Sequence, residues 1–218
     1  MKTKFTIAQS PEKSLLYRAI KVVVGCWYTC FYQGEVFGKN HLPTEGPVII
    51  LPKHQYWTDI PLVGLAFRKT YLYYIAKIEL FRFPLIRNFL SALGGIPIDR
   101  KIPIKSLDSF KHLSRLLRER KKIVIFPEGT YYRGTVGRGK SGIIKLILRF
   151  QEKEYLSHPI PFLPVGIAYR KKGLRQKVTI TIGEPLYAQR GSEAEEFTQE
   201  IIKAIAGLSG LEANGEKG

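Results

Sequence analysis

The chain is poor in cysteine and histidine, and this shortage excludes several classes of protein. Its 218 residues include 2 cysteines and 4 histidines. These show no zinc-ligand spacing, and no cofactor fingerprint occurs, so we expect neither a bound metal nor a bound cofactor. Cys26 and Cys30 stand without a second pair. A disulfide framework is therefore excluded, and a reducing compartment is favoured.

Long apolar runs are also missing. The uncharged, largely apolar stretch at residues 22–34 has 13 residues, whereas a membrane-spanning helix needs about 20. No cleavable export signal is expected, because Lys2 and Lys4 are followed by polar residues. The aromatic residues of this region, with Arg18 and Lys21 beside them, predict a helix that lies in a membrane interface. A buried core helix is the alternative interpretation.

Positive charge, by contrast, is abundant. The chain has 35 Lys and Arg against 18 Asp and Glu, a formal net charge of +17. Residues 68–149 carry 19 of these cations against 5 acids. Such a surplus indicates an anionic partner, which could be nucleic acid, a membrane surface or a phosphorylated substrate.

The pattern of apolar residues predicts an α/β fold. Short apolar runs alternate with segments of helical period, which is typical of a mostly parallel or mixed sheet flanked by helices. Strands are predicted at 48–51, 71–75, 95–98, 123–126, 163–169 and 178–182, and helices at 14–32, 58–67, 80–93, 104–120, 141–150 and 193–206. We divide the chain into an N-terminal membrane-associating helical segment, 1–37, one domain, 38–206, and a flexible tail, 207–218.

A histidine and an aspartate five residues apart form the first candidate site. His54 and Asp59 follow the predicted strand 48–51. Imidazole accepts a proton near neutral pH, and a carboxylate can orient it and stabilise its charged form. Five residues along one straight helix would separate the two side chains around its axis. The pair therefore predicts a turn between its members.

Two further motifs follow predicted strands. Asp99 and Arg100 come after one strand, and the run from Phe126 to Thr130, with Glu128 at its centre, comes after the next. Carboxyl ends of parallel strands form the usual ligand site of open α/β sheets. The alternative interpretation of Asp99 and Arg100 is a surface ion pair. The alternative interpretation of residues 126–130 is a tight turn. The glycine-rich loop before Ser141 is not a Walker A motif, and we interpret it as a flexible basic loop that leads into a helix.

Taken in order, these blocks resemble the glycerolipid acyltransferase family, which includes the 1-acylglycerol-3-phosphate (lysophosphatidic acid) acyltransferases. The matching blocks are HxxxxD at His54 and Asp59, GxxxDR at 95–100, FPEGT at 126–130 and an apolar proline segment at 162–166. The resemblance covers about residues 35–186.

The resemblance implies a membrane-associated O-acyltransferase at the cytoplasmic face. It would move a fatty acyl group from coenzyme A or acyl carrier protein to a lysophospholipid, most often 1-acylglycerol-3-phosphate, giving phosphatidic acid. His54 would act as the general base and Asp59 would orient it, without an acyl-enzyme. The substrate-binding residues expected from the resemblance are Lys53, Gly95, Arg100, Glu128, Gly129, Thr130 and Arg133.

Two departures from the family pattern leave the acceptor open. Tyr131 and Tyr132 separate FPEGT from Arg133, and Lys53 stands where asparagine often precedes the histidine. An acyltransferase for glycerol phosphate or for an amino-lipid lyso form is therefore one alternative. The other is a non-catalytic domain that binds anionic lipid or nucleic acid. Nucleic acid is not the expected partner, because the charge surrounds a base and carboxylate pair that binding does not require.

Overall fold

A computed structural model describes residues 15–98, 107–154, 158–172 and 175–213 of the chain. The described helices are α1 (Leu15–Phe31), α2 (Asp59–Ala66), α3 (Pro84–Ala92), α4 (Leu107–Arg118), α5 (Ser141–Lys153) and α6 (Ala194–Ser209). The described strands are β1 (Tyr32–Phe37), β2 (Val48–Pro52), β3 (Leu72–Lys77), β4 (Gly95–Ile98), β5 (Lys122–Val124), β6 (Phe162–Lys172) and β7 (Arg175–Ile182).

These strands form one mixed sheet in the order β1-β7-β6-β2-β5-β3-β4. The pairs from β6 to β4 are parallel, β7 is antiparallel to β6, and β1 is parallel to β7. Every residue of β2 is buried, as expected for a central parallel strand covered on both faces. The α/β class predicted from the sequence is confirmed.

Two apolar layers cover the faces of the sheet. Because side chains alternate along a strand, Ile49 of β2 faces the layer that contains α4, α5 and α6. Its neighbour Ile50 faces the opposite layer, which contains α2, with Tyr28 of α1 packed against it. The carboxyl ends of β2 and β5 therefore lie between two packed layers. These layers hold the loops that follow the two strands in place.

The structure changes the predicted boundary at the N-terminal segment. Residues 32–37, which the sequence analysis included in a helical segment, form the edge strand β1. Glycine at position 34 of β1 leaves room for the side chain of Tyr28 from α1. The hydroxyl oxygen of Tyr28 would lie 1.1 Å from a Cβ at Gly34. Among the described residues, no helix is both long and apolar enough to cross a membrane.

The predicted tail boundary also changes. Helix α6 continues through Ser209, whose hydroxyl accepts a hydrogen bond from the Ile167 amide. Gly210 then ends the helix in the left-handed conformation, and the Val136 amide donates to the Glu212 carbonyl. Residues 207–213 are therefore part of the folded domain, and residues 214–218 lie outside the described part.

Candidate active site

The sheet brings two of the three motifs together at one edge. Strands β2 and β5 are parallel neighbours, with Ile50 opposite Val124. Their carboxyl ends therefore lie side by side, His54 after β2 and Glu128 after β5. The third motif cannot be placed in the same way, because Asp99 and Arg100 lie outside the described residues.

His54 and Asp59 form a hydrogen-bonded pair. His54 Nδ1 lies 3.2 Å from Asp59 Oδ2. The chain turns between them, and the same Oδ2 accepts hydrogen bonds from the Gln55 amide at 2.5 Å and the Tyr56 amide at 2.7 Å. The predicted turn is confirmed. Because Nδ1 faces the carboxylate, Nε2 is the ring atom that can take a proton from a substrate.

A tyrosine completes the surroundings of this carboxylate. The Tyr169 hydroxyl, from β6, donates to Asp59 Oδ1. Burial, and then the negative charge of Asp59, raise the pKa of the Tyr169 hydroxyl, so it remains a donor. Tyr169 lies 110 residues from Asp59 along the chain and beyond the proline segment. The motif spacing therefore carried no signal for it.

Two aromatic rings pack against the imidazole of His54. The Phe126 ring stacks on His54 with centroids 4.0 Å apart, and the Tyr131 ring packs at 4.3 Å in a tilted arrangement. Phe126 is buried, whereas Tyr131 is exposed. The inner ring fixes the plane of the base, and the outer ring lies between it and solvent.

Lys53 and Glu128 form a buried ion pair beneath the base. The Lys53 Nζ lies 2.9 Å from Glu128 Oε1 and 2.8 Å from Oε2, and both side chains are fully buried. Lys53 also donates to the carbonyls of His54 at 2.9 Å and Tyr132 at 2.8 Å. Burial lowers the pKa of the Lys53 ammonium, while its hydrogen bond to Glu128 and the charge of that carboxylate oppose the shift.

Glu128 joins the loop after β2 to the loop between β5 and α5. Its Oε1 accepts from the His54 amide at 2.9 Å, and its Oε2 accepts from the Gly137 amide at 2.8 Å. The ion pair thereby fixes the backbone on both sides of the base. This geometry favours a positioning role for Lys53 and Glu128 over the substrate contact expected from the sequence, because their polar atoms are buried and bonded within the protein.

Gln55, which the sequence analysis did not single out, ties the base loop to its neighbours. Its side-chain amide donates to the Ile167 carbonyl at 2.9 Å and accepts from the Gly134 amide at 3.1 Å. The loop before Ser141, predicted to be flexible, is therefore bonded to Gln55 at Gly134 and to Glu128 at Gly137. The predicted helix start at Ser141 is confirmed.

Of the other residues expected to bind substrate, some lie at the carboxyl edge of the sheet and one does not. Gly129 adopts a positive φ of 72° in the turn after β5, which glycine favours. Thr130 and Arg133 are exposed nearby, and the Arg133 guanidinium lies 5.0 Å above the Tyr56 ring. Gly95 does not reach this edge, because it begins β4 and is buried, and a Cβ there would lie 2.8 Å from the Leu90 carbonyl oxygen.

A small pocket lies at the turn that follows β5. It has a volume of about 70 Å³, and its lining includes Phe126, Gly129 and Lys140. Lys140 directly precedes α5, whose first residues also line the pocket. Helix N-termini and lysine both favour anions. Ligand pockets usually measure roughly 300–1,000 Å³, so this one has room for a small anionic group and not for an acyl chain.

Known proteins resemble this chain in sequence. A family model described as Acyltransferase matches residues 33–168. A 1-acyl-sn-glycerol-3-phosphate acyltransferase of Bacillus subtilis is 29% identical over 153 residues, 70% of this chain and 73% of that protein. A lyso-ornithine lipid O-acyltransferase of Pseudomonas aeruginosa is 28% identical over 150 residues, 69% of this chain and 54% of that protein.

A solved structure shares the fold. The crystal structure of the 1-acyl-sn-glycerophosphate (LPA) acyltransferase PlsC from Thermotoga maritima superposes with a TM-score of 0.64. The alignment covers 89% of this chain and 78% of that one at 23% sequence identity. The likeness shows a common fold, with a mixed sheet flanked by helices.

Proposed function

Because the chain belongs to the acyltransferase family, we propose that it transfers a fatty acyl group from an acyl thioester to the hydroxyl of a lysophospholipid. The proposed acceptor is 1-acylglycerol-3-phosphate, and the donor is acyl-coenzyme A or acyl carrier protein. The observation that carries the proposal is the hydrogen-bonded His54 and Asp59 pair at the carboxyl edge of the sheet. The names of the Bacillus and Thermotoga relatives support the acceptor.

The pair supports direct transfer between the two substrates. His54 Nε2 takes the proton of the acceptor hydroxyl as its oxygen attacks the thioester carbonyl carbon. Asp59 stabilises the imidazolium that forms. The carbon–sulfur bond then breaks, the new ester remains, and the leaving thiolate receives the proton from the imidazolium. The acyl group passes directly from the donor sulfur to the acceptor oxygen, and only a proton passes through His54, so no acyl-enzyme is needed.

The cations around the base support recognition of a phosphate group. Arg133 lies over Tyr56, which is close to the base in sequence and packs edge-on against Tyr169. Lys140 lines the pocket beside Phe126. An arginine fork and a lysine at a helix N-terminus both suit phosphate oxygens. Gly129 and Thr130 would lie beside such a group, and Arg100 is proposed as a further cation.

An amino-lipid lyso form is the second candidate acceptor. Tyr131 and Tyr132 displace the arginine of the family pattern to position 133, and Tyr131 occupies the outer face of His54. The resemblance to a lyso-ornithine lipid O-acyltransferase also favours this candidate. Such an acceptor presents an amino-acid headgroup in place of a phosphate.

Helix α1 supports association with a membrane at its cytoplasmic face, in a monotopic or peripheral manner. Leu15, Val22, Val23 and Phe31 are exposed apolar side chains of this helix. Trp27 packs 5.9 Å from Trp57, which is exposed in the turn between His54 and Asp59. A bilayer that covers α1 would therefore also approach the base.

Thiol release tests the proposal. Purified protein in detergent would be given palmitoyl-coenzyme A or palmitoyl acyl carrier protein, with no acceptor, with 1-acylglycerol-3-phosphate or with lyso-ornithine lipid. We expect release that depends on 1-acylglycerol-3-phosphate. Dependence on lyso-ornithine lipid alone would favour the second acceptor. If no acceptor increases release with either donor, the enzymatic proposal fails, and a non-catalytic domain that binds anionic lipid remains.

A further inference from the structure

Helix α3 turns its apolar side away from the protein. Leu85, Ile86 and Phe89 lie on one side of this helix, by the 100° step of an α-helix. Their exposed fractions are 85%, 42% and 47%. Amphipathic helices of globular proteins normally turn this side toward the core. The outward orientation indicates a partner that supplies an apolar environment.

The segment before α3 extends the same surface and anchors it. In the 3-10 turn Ile78–Arg82, Leu80 is exposed, and Phe83 follows with 63% of its surface exposed. Phe81 between them is buried and fixes the turn to the domain. We name the exposed set, Leu80, Phe83, Leu85, Ile86 and Phe89, the α3 patch. Five exposed large apolar side chains within residues 80–89 form a concentration of the kind found at interaction sites.

The α3 patch begins at the edge of the sheet that carries the base. Its turn follows directly after Lys77, the carboxyl-terminal residue of β3. Ile75 of the same strand lines the pocket beside Phe126 and Lys140. A partner seated on the α3 patch would therefore lie at the same edge of the sheet as His54 and Asp59.

Charge around the α3 patch selects the kind of partner. The segment 77–92 contains Lys77, Arg82 and Arg87 against a single acid, Glu79. Lys77 and Arg82 are exposed. Cations beside exposed aliphatic and aromatic side chains are typical of surfaces that bury apolar groups among the headgroups of anionic lipids. An acidic interface lipid would complement both features.

We propose that the α3 patch is a second membrane contact, which docks the carboxyl edge of the sheet on a bilayer of anionic phospholipid. The inference rests on the proposed function, whose acceptor is a bilayer lipid. Contacts at α1 and at α3 would hold the domain at two places, so that the base faces the lipid surface from which the acceptor enters.

Vesicle flotation tests the inference without turnover. The full chain would be floated with phosphatidylcholine vesicles, with and without a quarter of phosphatidylglycerol. We expect wild type to bind the anionic vesicles, and Leu85→Ser with Phe89→Ser to reduce the bound-to-free ratio at least tenfold. Asn88→Ser, on the same helix, is the matched control and should bind as wild type does. Equal binding by wild type and the double variant would overturn the inference, as would equal loss in the control.

A fluorescent label distinguishes the bilayer from other occupants. Leu85→Cys would carry a polarity-sensitive dye in a Cys26→Ser, Cys30→Ser background, because both native cysteines are exposed. A blue shift on addition of anionic vesicles is expected. A label already in an apolar environment without vesicles would show that another copy or segment of the chain covers the patch, and would overturn the inference. If thiol release depends on the acceptor but vesicles do not shift the label's emission, the α3 contact is refuted while the proposed activity stands. If vesicles shift the emission but no thiol is released, the proposed activity is refuted while the α3 contact stands.

Discussion

The Tyr169 hydroxyl bonds to Asp59 Oδ1, whereas His54 lies against the other oxygen of the same carboxylate. Asp59 thus receives a side-chain donor from β6 in addition to the amides of its own turn. The carboxylate is buried, and its orientation is set by partners from two separate parts of the chain. Tyr169 is therefore a positioning residue for the base.

Tyr169→Phe should lower kcat by roughly tenfold, because the loss of one donor frees the orientation of Asp59. The acid limb of the pH profile of kcat/KM should move to higher pH, since a carboxylate with one donor fewer attracts the imidazolium proton more strongly. Initial rates between about pH 5 and pH 9 would show this. Tyr187→Phe, at an exposed tyrosine, is the control. An unshifted profile would reduce Tyr169 to a packing role.

The buried pair of Lys53 and Glu128 should be strongly coupled. Lys53→Met leaves a buried carboxylate without its cation, which should reduce the free energy of unfolding by about 3–5 kcal/mol. Glu128→Gln should also destabilise, while the double variant should lose less than the sum of the two. Urea unfolding of the four proteins gives the coupling energy. Additive losses would show that the pair does not act as a unit.

Arg133 should act on acceptor binding. Arg133→Gln removes an exposed guanidinium beside the base, and we expect KM for 1-acylglycerol-3-phosphate to rise about tenfold, which corresponds to about 1.4 kcal/mol, with little change in kcat. Lys203→Gln removes an exposed cation of α6 and controls for net charge. An equal effect of both changes would mean that overall charge, and not a site at Arg133, attracts the acceptor.

His112 should make stability depend on pH. Burial, and then the charge of Arg115, lower the pKa of His112 to about 4 from its usual 6.5. The folded state therefore favours the neutral ring. This stabilisation is complete above about pH 6.5 and is lost as pH falls toward 4. The decrease in Tm between about pH 7 and pH 5 should be smaller in His112→Gln than in wild type. Equal decreases in both proteins would contradict this assignment.

Much of the fold could be predicted because its strands are short, apolar and separated by helical patterns. Residues 95–98 form a strand with the predicted bounds, and β2 extends the prediction by one residue. Strand β1 was missed because its sequence, YQGEVF, contains Gln, Gly and Glu and lacks the apolar run of the buried strands. Its own sequence also does not indicate that it pairs in parallel with β7, which lies more than a hundred residues away. Burial by tertiary contacts decides such edge strands.

The candidate site was predicted where its residues are close in sequence, and was missed where they meet only through the fold. His54 and Asp59 are close in sequence, so their spacing alone predicted a turn that brings them together. Glu128 and Lys53 were identified, yet their pairing with each other depends on β2 lying beside β5. Gly95 was expected at the site because its motif contains it, but the direction of β4 keeps it away from the edge. Tyr169 belongs to no motif.

Acceptor-dependent thiol release by wild type and His54→Gln tests the central claim most directly. Both proteins would be assayed with palmitoyl-coenzyme A and 1-acylglycerol-3-phosphate, after their melting curves show that each is folded. A base contributes roughly 10²–10⁴-fold, so we expect the variant to lose at least a hundredfold in rate. If the variant retains the wild-type rate, His54 is not the base and the proposed mechanism is wrong.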